Sequence, residues 1–529
     1  MEIDLQHAEA PAQPTRSQVC IVGAGIAGLV LAHRLCGLGI GVVLLEAGGK
    51  AIEDAGQHLF AEALLDGSPH LGTDHGRFRV FGGTSLRWGG QLLPLAENPQ
   101  PAWPIEPETL APFYDAAETL LGVDSLPFDA SAFFAASGAA EPAMLASLAG
   151  IEARISKWTP FARRNLAASL GRELLAHPRA QVYLHAQATE FLLTPARTSV
   201  AAVLVRADHR RVLRFEADAF VLAAGTVESV RLLLASRSVA PEGVGNEFGQ
   251  VGRGFHDHLT LPAAEITGAA RARLLRDWRP WVLRAKRGGA TVHSVKMEAS
   301  PELRTRLGIN AVLAHLTLEE PAGSGLAAVR AMLLARQDGG LGNALRANAA
   351  RLPAAVLEAL RLAWEARMEQ RRYVSAQTRV QLYLNAAQDA QTASRIGLSD
   401  QLDAFGEPLP VIDWRISAHE LETLRLFAEH LRVQFAAMGL DGVAWAPELF
   451  DRTTPLLRLD DARHAMGGAC MGLDPRSSVV NAQLAVHGVD NLYVASPATF
   501  PTGEAHLPTL PLMALTLRLA EHLRRTLAE

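Results

Sequence analysis

A chain of 529 residues, 49% hydrophobic and 20% charged, has ordinary globular composition and room for roughly three domain-equivalents. Its net charge of −5 argues against a nucleic-acid partner, which needs a basic face. Three cysteines (Cys20, Cys36, Cys470), none in a CxxC or CxxH pair, exclude a disulfide framework and point to a reducing, cytoplasmic setting.

Residues 1–17 carry Glu2, Asp4, Glu9, Pro11 and Pro14 without an apolar signal region or twin arginine, and read as a disordered leader. No run approaches the roughly 18 apolar residues of a membrane span, so no transmembrane segment is expected. The stretch 18–49, QVCIVGAGIAGLVLAHRLCGLGIGVVLLEAGG, follows as a βαβ unit. An apolar run (Val19–Val22) leads into a glycine turn and a helical period, and a second apolar run (Val42–Leu45) ends on Glu46. Gly23, Gly25 and Gly28 stand in GxGxxG spacing, which serves a tight turn, close approach of backbone N–H groups to a pyrophosphate, and close helix–strand packing. Glu46 lies where a carboxylate binds the hydroxyls of an adenosine ribose. The pattern predicts a dinucleotide, NAD or FAD.

Residues 79–95, RVFGGTSLRWGGQLLPL, form a glycine-rich loop able to approach a flat ligand closely, and 103–123 runs from an extended Pro-rich piece into a helix beginning near Glu106 or Pro107. Residues 129–180 are Ala-rich and read as a helical covering segment. Strand-like 181–194 and 199–207 lead into 219–238, a second strand–Gly225 turn–helix of the doubly wound kind. In GVGNEFGQVGRGFHDHLTL (243–261), His256 and His258 form an HxH pair, but no third ligand has clear spacing and no metal is expected. Between 260 and 455 strand-like pieces (Thr291–Met297, Arg379–Leu384, Leu409–Ile416) bracket a long Ala/Leu/Arg helical insertion, a lid over a cavity in preference to a membrane-surface helix. Residues 392–417 read as a hairpin in an antiparallel sheet. The last block places His464 before the Gly467-Gly468 turn, then a strand, a loop with His506, and a long helix opened by Pro508-Thr509.

Taken in order, GAGIAGL with Glu46, GGTSLRWGG, WPI…LAPFYDAAE, LAAGTVESVRLLL, VGRGFHDHL, HAMGGACMG and NLYVASPATFPT…PTL resemble the glucose-methanol-choline (GMC) family of flavin oxidoreductases from residue 18 to the C-terminus, with a looser middle third. The resemblance implies an α/β fold: a discontinuous Rossmann-like FAD-binding domain (18–128, 181–258, 456–529) and an α+β substrate domain (259–455) with an antiparallel sheet and helical lid, plus the covering segment 129–180. It implies FAD held by Gly23, Gly25, Ile26, Ala27, Gly28, Glu46 and Ala47. Gly82, Gly83, Thr84, Ser85, Trp88, Gly89 and Gly90 would lie along the flavin, with Ala188, Ala224, Gly225, Ser496, Pro508 and Thr509 completing the site. It implies His464 as the base that takes an alcohol proton while hydride passes to flavin N5, a task suited to imidazole.

Several positions depart from the family pattern. Aligned on Pro508-Thr509, the second catalytic slot holds Leu507, with His506 one residue earlier, and His506 is the favoured partner. Arg87 stands near where members with covalent flavin carry histidine, so FAD is expected to be non-covalent. The expected reaction oxidises a CH–OH group of a small alcohol or sugar-like substrate, with oxygen or another acceptor reoxidising the flavin. A flavin-containing lyase or decarboxylase with no net redox is the alternative. The sparse charge of 260–370 leans the substrate towards a bulky, partly apolar alcohol.

Overall fold

The apolar run Val19–Val22 is buried on both faces, as a central parallel strand requires. In the computed structural model, which describes residues 1–7, 14–54, 57, 63–95, 103–207, 211–284, 289–337, 340–389 and 393–528, strand Thr15–Val22 lies between Val42–Leu45 and Val212–Leu222, parallel to both. The sheet runs Glu2–Asp4, Ala180–Leu184, Val42–Leu45, Thr15–Val22, Val212–Leu222, Val200–Arg206, Gln187–Leu193, with Leu492–Val494 parallel to the end of Val212–Leu222. Residues remote in sequence thus build one sheet, the discontinuous doubly wound half. Helix Ile26–Gly37 fits against it because residue 28 has no side chain: a Cβ there would stand 1.9 Å from the Gly23 carbonyl oxygen. The second strand–turn–helix also forms, with Gly225 at φ 74° opening helix Gly225–Ala235.

The second sheet is antiparallel: Val443–Trp445, His258–Ile266, Arg379–Ala387, Val312–Glu319, Ala290–Ala299, Ile151–Trp158, Gln91–Leu92. The C-terminal helix Thr509–Thr526 packs on Ile26–Gly37 and on Ala111–Leu121 of the first half. The expected hairpin appears as Arg395–Leu402 with Pro408–Trp414, and Leu64–Gly67 adds a parallel third strand.

Three expectations need correction. The leader is not wholly disordered: Glu2–Asp4 pairs with Val182–Leu184 and Leu5 is fully buried, while residues 8–13 lie outside the described residues. Alternation of Ile3 and Leu5 with polar neighbours is enough for a short edge strand. The covering segment 129–180 also contributes Ile151–Trp158 to the substrate sheet. Buried polar groups in that strand hid its pattern, since Lys157 Nζ donates to Glu118 at 2.7 Å and Ser156 meets Ser294 at 2.9 Å. Finally, the insertion is not a lid. Helices Gly325–Gln337, Leu341–Ala347 and Leu352–Met368 pack on one another and on strand Trp281–Arg284, and none of their described residues lines the central cavity. Arg279 holds Glu365 (2.7 Å) and Glu369 (2.6 Å), fastening the last helix at that outer position.

Candidate active site

A cavity of about 910 Å³ runs between the two sheets, from the Gly23–Gly25 turn to His464 and His506. At its nucleotide end Gly23 has φ +100°, where an added Cβ would lie 2.6 Å from the Ala223 carbonyl oxygen. Gly25 differs: a Cβ there would meet nothing within 4 Å, because it would project into open space beside the first helical turn. Glu46 accepts from Ala24 N (2.9 Å) and Gly48 N (2.8 Å). Burial raises its pKa, and these two N–H groups oppose the shift. Each of its oxygens keeps lone-pair capacity for a ribose hydroxyl.

The wall also includes Ile26, Ala27, Ala47, Gly83, Thr84, Trp88, Gly89, Gly90, Ala188, Ala224, Gly225, Ser496, Pro508 and Thr509. Gly28, Gly82 and Ser85 are not on it. Gly28 serves helix packing, while Ser85 Oγ donates to Gly82 O (2.6 Å) and accepts from Leu166 N (3.2 Å), so both residues brace the loop from behind. A glycine turn, a helix N-terminus open towards the cavity, a buried acid at a strand end and a second glycine loop fit an FAD. Sequence reasoning missed a buried network beside them: Glu228 pairs with Arg231 (2.7 Å) and Arg77 (3.2 Å), and Arg79 Nε donates to Ala47 O (3.1 Å).

At the opposite end the Nδ1 atoms of His464 and His258 are 2.9 Å apart. His258 Nε2 faces two carbonyl oxygens, Gly503 O at 2.8 Å and Glu504 O at 2.9 Å. Carbonyls only accept, so that nitrogen carries the proton and His258 Nδ1 is the acceptor. His464 Nδ1 therefore donates, leaving His464 Nε2 as a free base. Burial first, then the neighbouring His258 imidazole and the Lys296 charge, lower the His464 pKa to about 3.

Asp257 fixes this arrangement. Its Oδ1 accepts from the backbone N–H of His258 (2.7 Å), Ala462 (3.2 Å) and His464 (3.0 Å). Its Oδ2 faces His70 Nε2 at 3.3 Å, and Asp461 accepts from Gly72 N (3.0 Å) and Arg463 N (2.8 Å). One ligand-type atom from each of His70, Asp257 and Asp461 lies within 4.8 Å of the others. Burial alone would lower the His70 pKa, but the hydrogen bond and charge of Asp257, with Asp461, hold it above the usual value. The cluster thus ties residues 70–73 to the loop that carries His464. The HxH histidines have separate partners: His256 pairs through its backbone with Met466 and its Nδ1 meets Gly254 O at 2.8 Å.

His506 and Leu507 both border the cavity. The His506 ring is buried against Trp103 and Phe500, and neither of its nitrogens has a hydrogen-bond partner among the described residues. Leu507 packs instead with Leu93, Ala311, Leu313, Ala387 and Ala505. Only His506 can offer a polar atom. The substrate sheet contributes Thr260, Leu313, His315, Tyr383, Asn385 and Lys296. Lys296 was not singled out from sequence. It is buried, its Nζ reaches Gln91 Oε1 at 3.4 Å, and burial lowers its pKa to about 7. A lysine among the otherwise uncharged residues Thr291–Met297 was the available signal.

Residues 390–516 match the family described as GMC oxidoreductase. The chain is 25% identical to paromamine 6'-oxidase of Streptomyces fradiae over 95% of its own length and 90% of the relative's. It is 24% identical to the fructose dehydrogenase large subunit of Gluconobacter japonicus, over 67% and 54%. Among solved structures, an FAD-dependent oxidoreductase from Chaetomium thermophilum superposes with a TM-score of 0.58 at 15% identity, covering 96% of this chain and 99% of the other. Motif order, two-sheet architecture and these likenesses agree in relating the chain to the glucose-methanol-choline oxidoreductases, whose family model it matches over residues 390–516.

Proposed function

We propose that this protein oxidises a CH–OH group of a small sugar-like substrate to a carbonyl, using dissociable FAD and His464 as the base. The observation that carries the reading is the single cavity joining Glu46 and the glycine turn to the free Nε2 of His464. Bound there, FAD supplies the acceptor for the hydride of the alcohol carbon. The chain itself handles the proton. His464 Nε2 takes it from the hydroxyl, and His258 keeps the Nδ1–H side of the imidazole occupied so that the ring presents its lone pair to substrate. Asp257, by gathering the N–H groups of residues 258, 462 and 464, holds both histidine backbones in place. His506 offers an unpartnered ring nitrogen as the second polar group.

Non-covalent attachment rests on the loop 82–90, whose side chains include Arg87 and no histidine, cysteine or tyrosine. The relatives named paromamine 6'-oxidase and fructose dehydrogenase support a sugar-like alcohol and leave oxygen or another acceptor for reoxidation. The lean towards a bulky apolar alcohol loses its basis, because it was read from 260–370, whose long helices do not line the cavity.

The test is the visible spectrum of the purified protein, recorded anaerobically with a panel of sugars, polyols and simple alcohols. Bleaching of a flavin band by one class supports the reading. Turnover with the flavin band unchanged would point to a lyase, and a colourless protein that cannot be reconstituted with FAD would overturn the assignment.

A further inference from the structure

Helix Leu352–Met368 has two unlike faces. Inward, Ala355 is buried, Glu358 accepts from Leu326 N at 2.6 Å, and Glu365 pairs with Arg279. Outward, Val356, Leu360, Trp364 and Met368 recur every four residues with Leu357 beside them, one continuous stripe at helical period. All five are more than half exposed, Leu360 at 63% and Trp364 at 58%. Exposed Arg361 and Arg367 flank the stripe, whereas Glu358 and Glu365 are turned into the protein.

The surrounding charge is equally one-sided. From Gly325 to Arg372 there are eight arginines against four acids, in a chain whose net charge is −5. The rest of the molecule is therefore more acidic than the total, and an anionic surface would attract this face and repel the others. Leu333, Leu341 and Leu345 of the neighbouring helices are also exposed. A stripe of this kind is unusual on a soluble monomer and marks a surface that something covers.

We propose that the helix Leu352–Met368 docks on an anionic phospholipid surface. It would lie in the plane of the interface, with Val356, Leu360, Trp364 and Met368 in the headgroup–acyl boundary and Arg361 and Arg367 against lipid phosphates. A tryptophan among aliphatic residues suits that boundary, where one end of the ring is apolar and the other wet. Cations flanking an apolar stripe, with Glu358 and Glu365 turned inward and the half-exposed Glu369 paired with Arg279, favour lipid over a protein partner, whose interface would need counter-charges supplied in register. This inference is independent of the reaction proposed above.

Co-sedimentation of the FAD-loaded full chain with vesicles tests it, using phosphatidylcholine alone against equal parts phosphatidylcholine and phosphatidylglycerol. The expected result is binding to the anionic vesicles that falls as salt rises. The pair Leu360→Glu and Trp364→Glu should abolish it, and Arg361→Gln with Arg367→Gln should weaken it about fivefold per arginine. Thermal midpoint and flavin content should hold in both variants, because the side chains are exposed. A wild-type chain left in the supernatant with both vesicles, or variants that bind as well as wild type, would overturn the proposal. So would a wild-type dimer that Leu360→Glu with Trp364→Glu converts to monomer, since a second copy would then cover the stripe.

Discussion

The Nδ1 atoms of His258 and His464 stand 2.9 Å apart, and the two carbonyls on the far side of His258 decide which of them carries the proton. In the proposed mechanism an imidazole does for His464 what a carboxylate does in other base–orienter pairs. It fixes the tautomer, but it adds no negative charge that would raise the base's pKa. Replacing His258 with Phe keeps a ring and removes the acceptor. Anaerobic flavin reduction should slow roughly a hundredfold, the low end of what a placed general base contributes, with FAD content preserved. An unchanged reduction rate would remove His258 from the mechanism.

The pH dependence has a defined sign. The His464 pKa is lowered to about 3, so the base is already neutral at working pH and its own protonation should not slow reduction until the medium is strongly acidic. A limb near neutrality is expected from Lys296, lowered to about 7 by burial. In Lys296→Met that limb should vanish, and the acid limb of His464 should move up because a like charge has gone. A limb that stays put in the pH–rate profile of the variant would contradict this.

The same burial makes the fold acid-sensitive. His256, lowered to about 4, and His464 bind fewer protons folded than unfolded once pH drops below the ordinary histidine value near 6.5. Their contribution is complete above that value and is lost as pH falls towards 4 and 3. The thermal midpoint should accordingly decline from neutral to acid pH, and less steeply in His256→Phe.

Two glycines of one motif should fail differently. Gly25→Ala adds a methyl group to open space at the cavity wall, so the apo chain should keep its stability and lose FAD affinity. Gly28→Ala drives a Cβ to 1.9 Å from Gly23 O, and should cost about 1–3 kcal/mol or more of stability whether or not FAD is bound. Isothermal FAD titration and apo-protein melting separate the two outcomes.

His506→Phe and Leu507→Ala divide the second catalytic slot. Loss of the unpartnered imidazole should slow flavin reduction at unchanged stability. Loss of Leu507 from its small apolar cluster should cost about 2 kcal/mol of stability and leave the chemical step nearly intact. Reversed outcomes would give the slot to Leu507.

What the sequence determined by itself is local and periodic. Gly23, Gly25, Gly28 and Glu46 declare their turn, helix and strand end within one stretch, because backbone conformation and close packing constrain residue type at short range. The order of motifs carried the resemblance to the glucose-methanol-choline family, and with it the candidate His464. The tertiary structure decided what depends on convergence. His70, His258, Asp461 and His464 meet only because the two sheets place their loops together, and no spacing along the chain announces that. Lys157 and Ser156 hid a strand for the same reason, their buried partners being remote. The helix Leu352–Met368 shows the limit most clearly. Its amphipathic period was legible, but which face is covered depends on where Arg279 and Leu326 anchor its glutamates, and that left the apolar face outside.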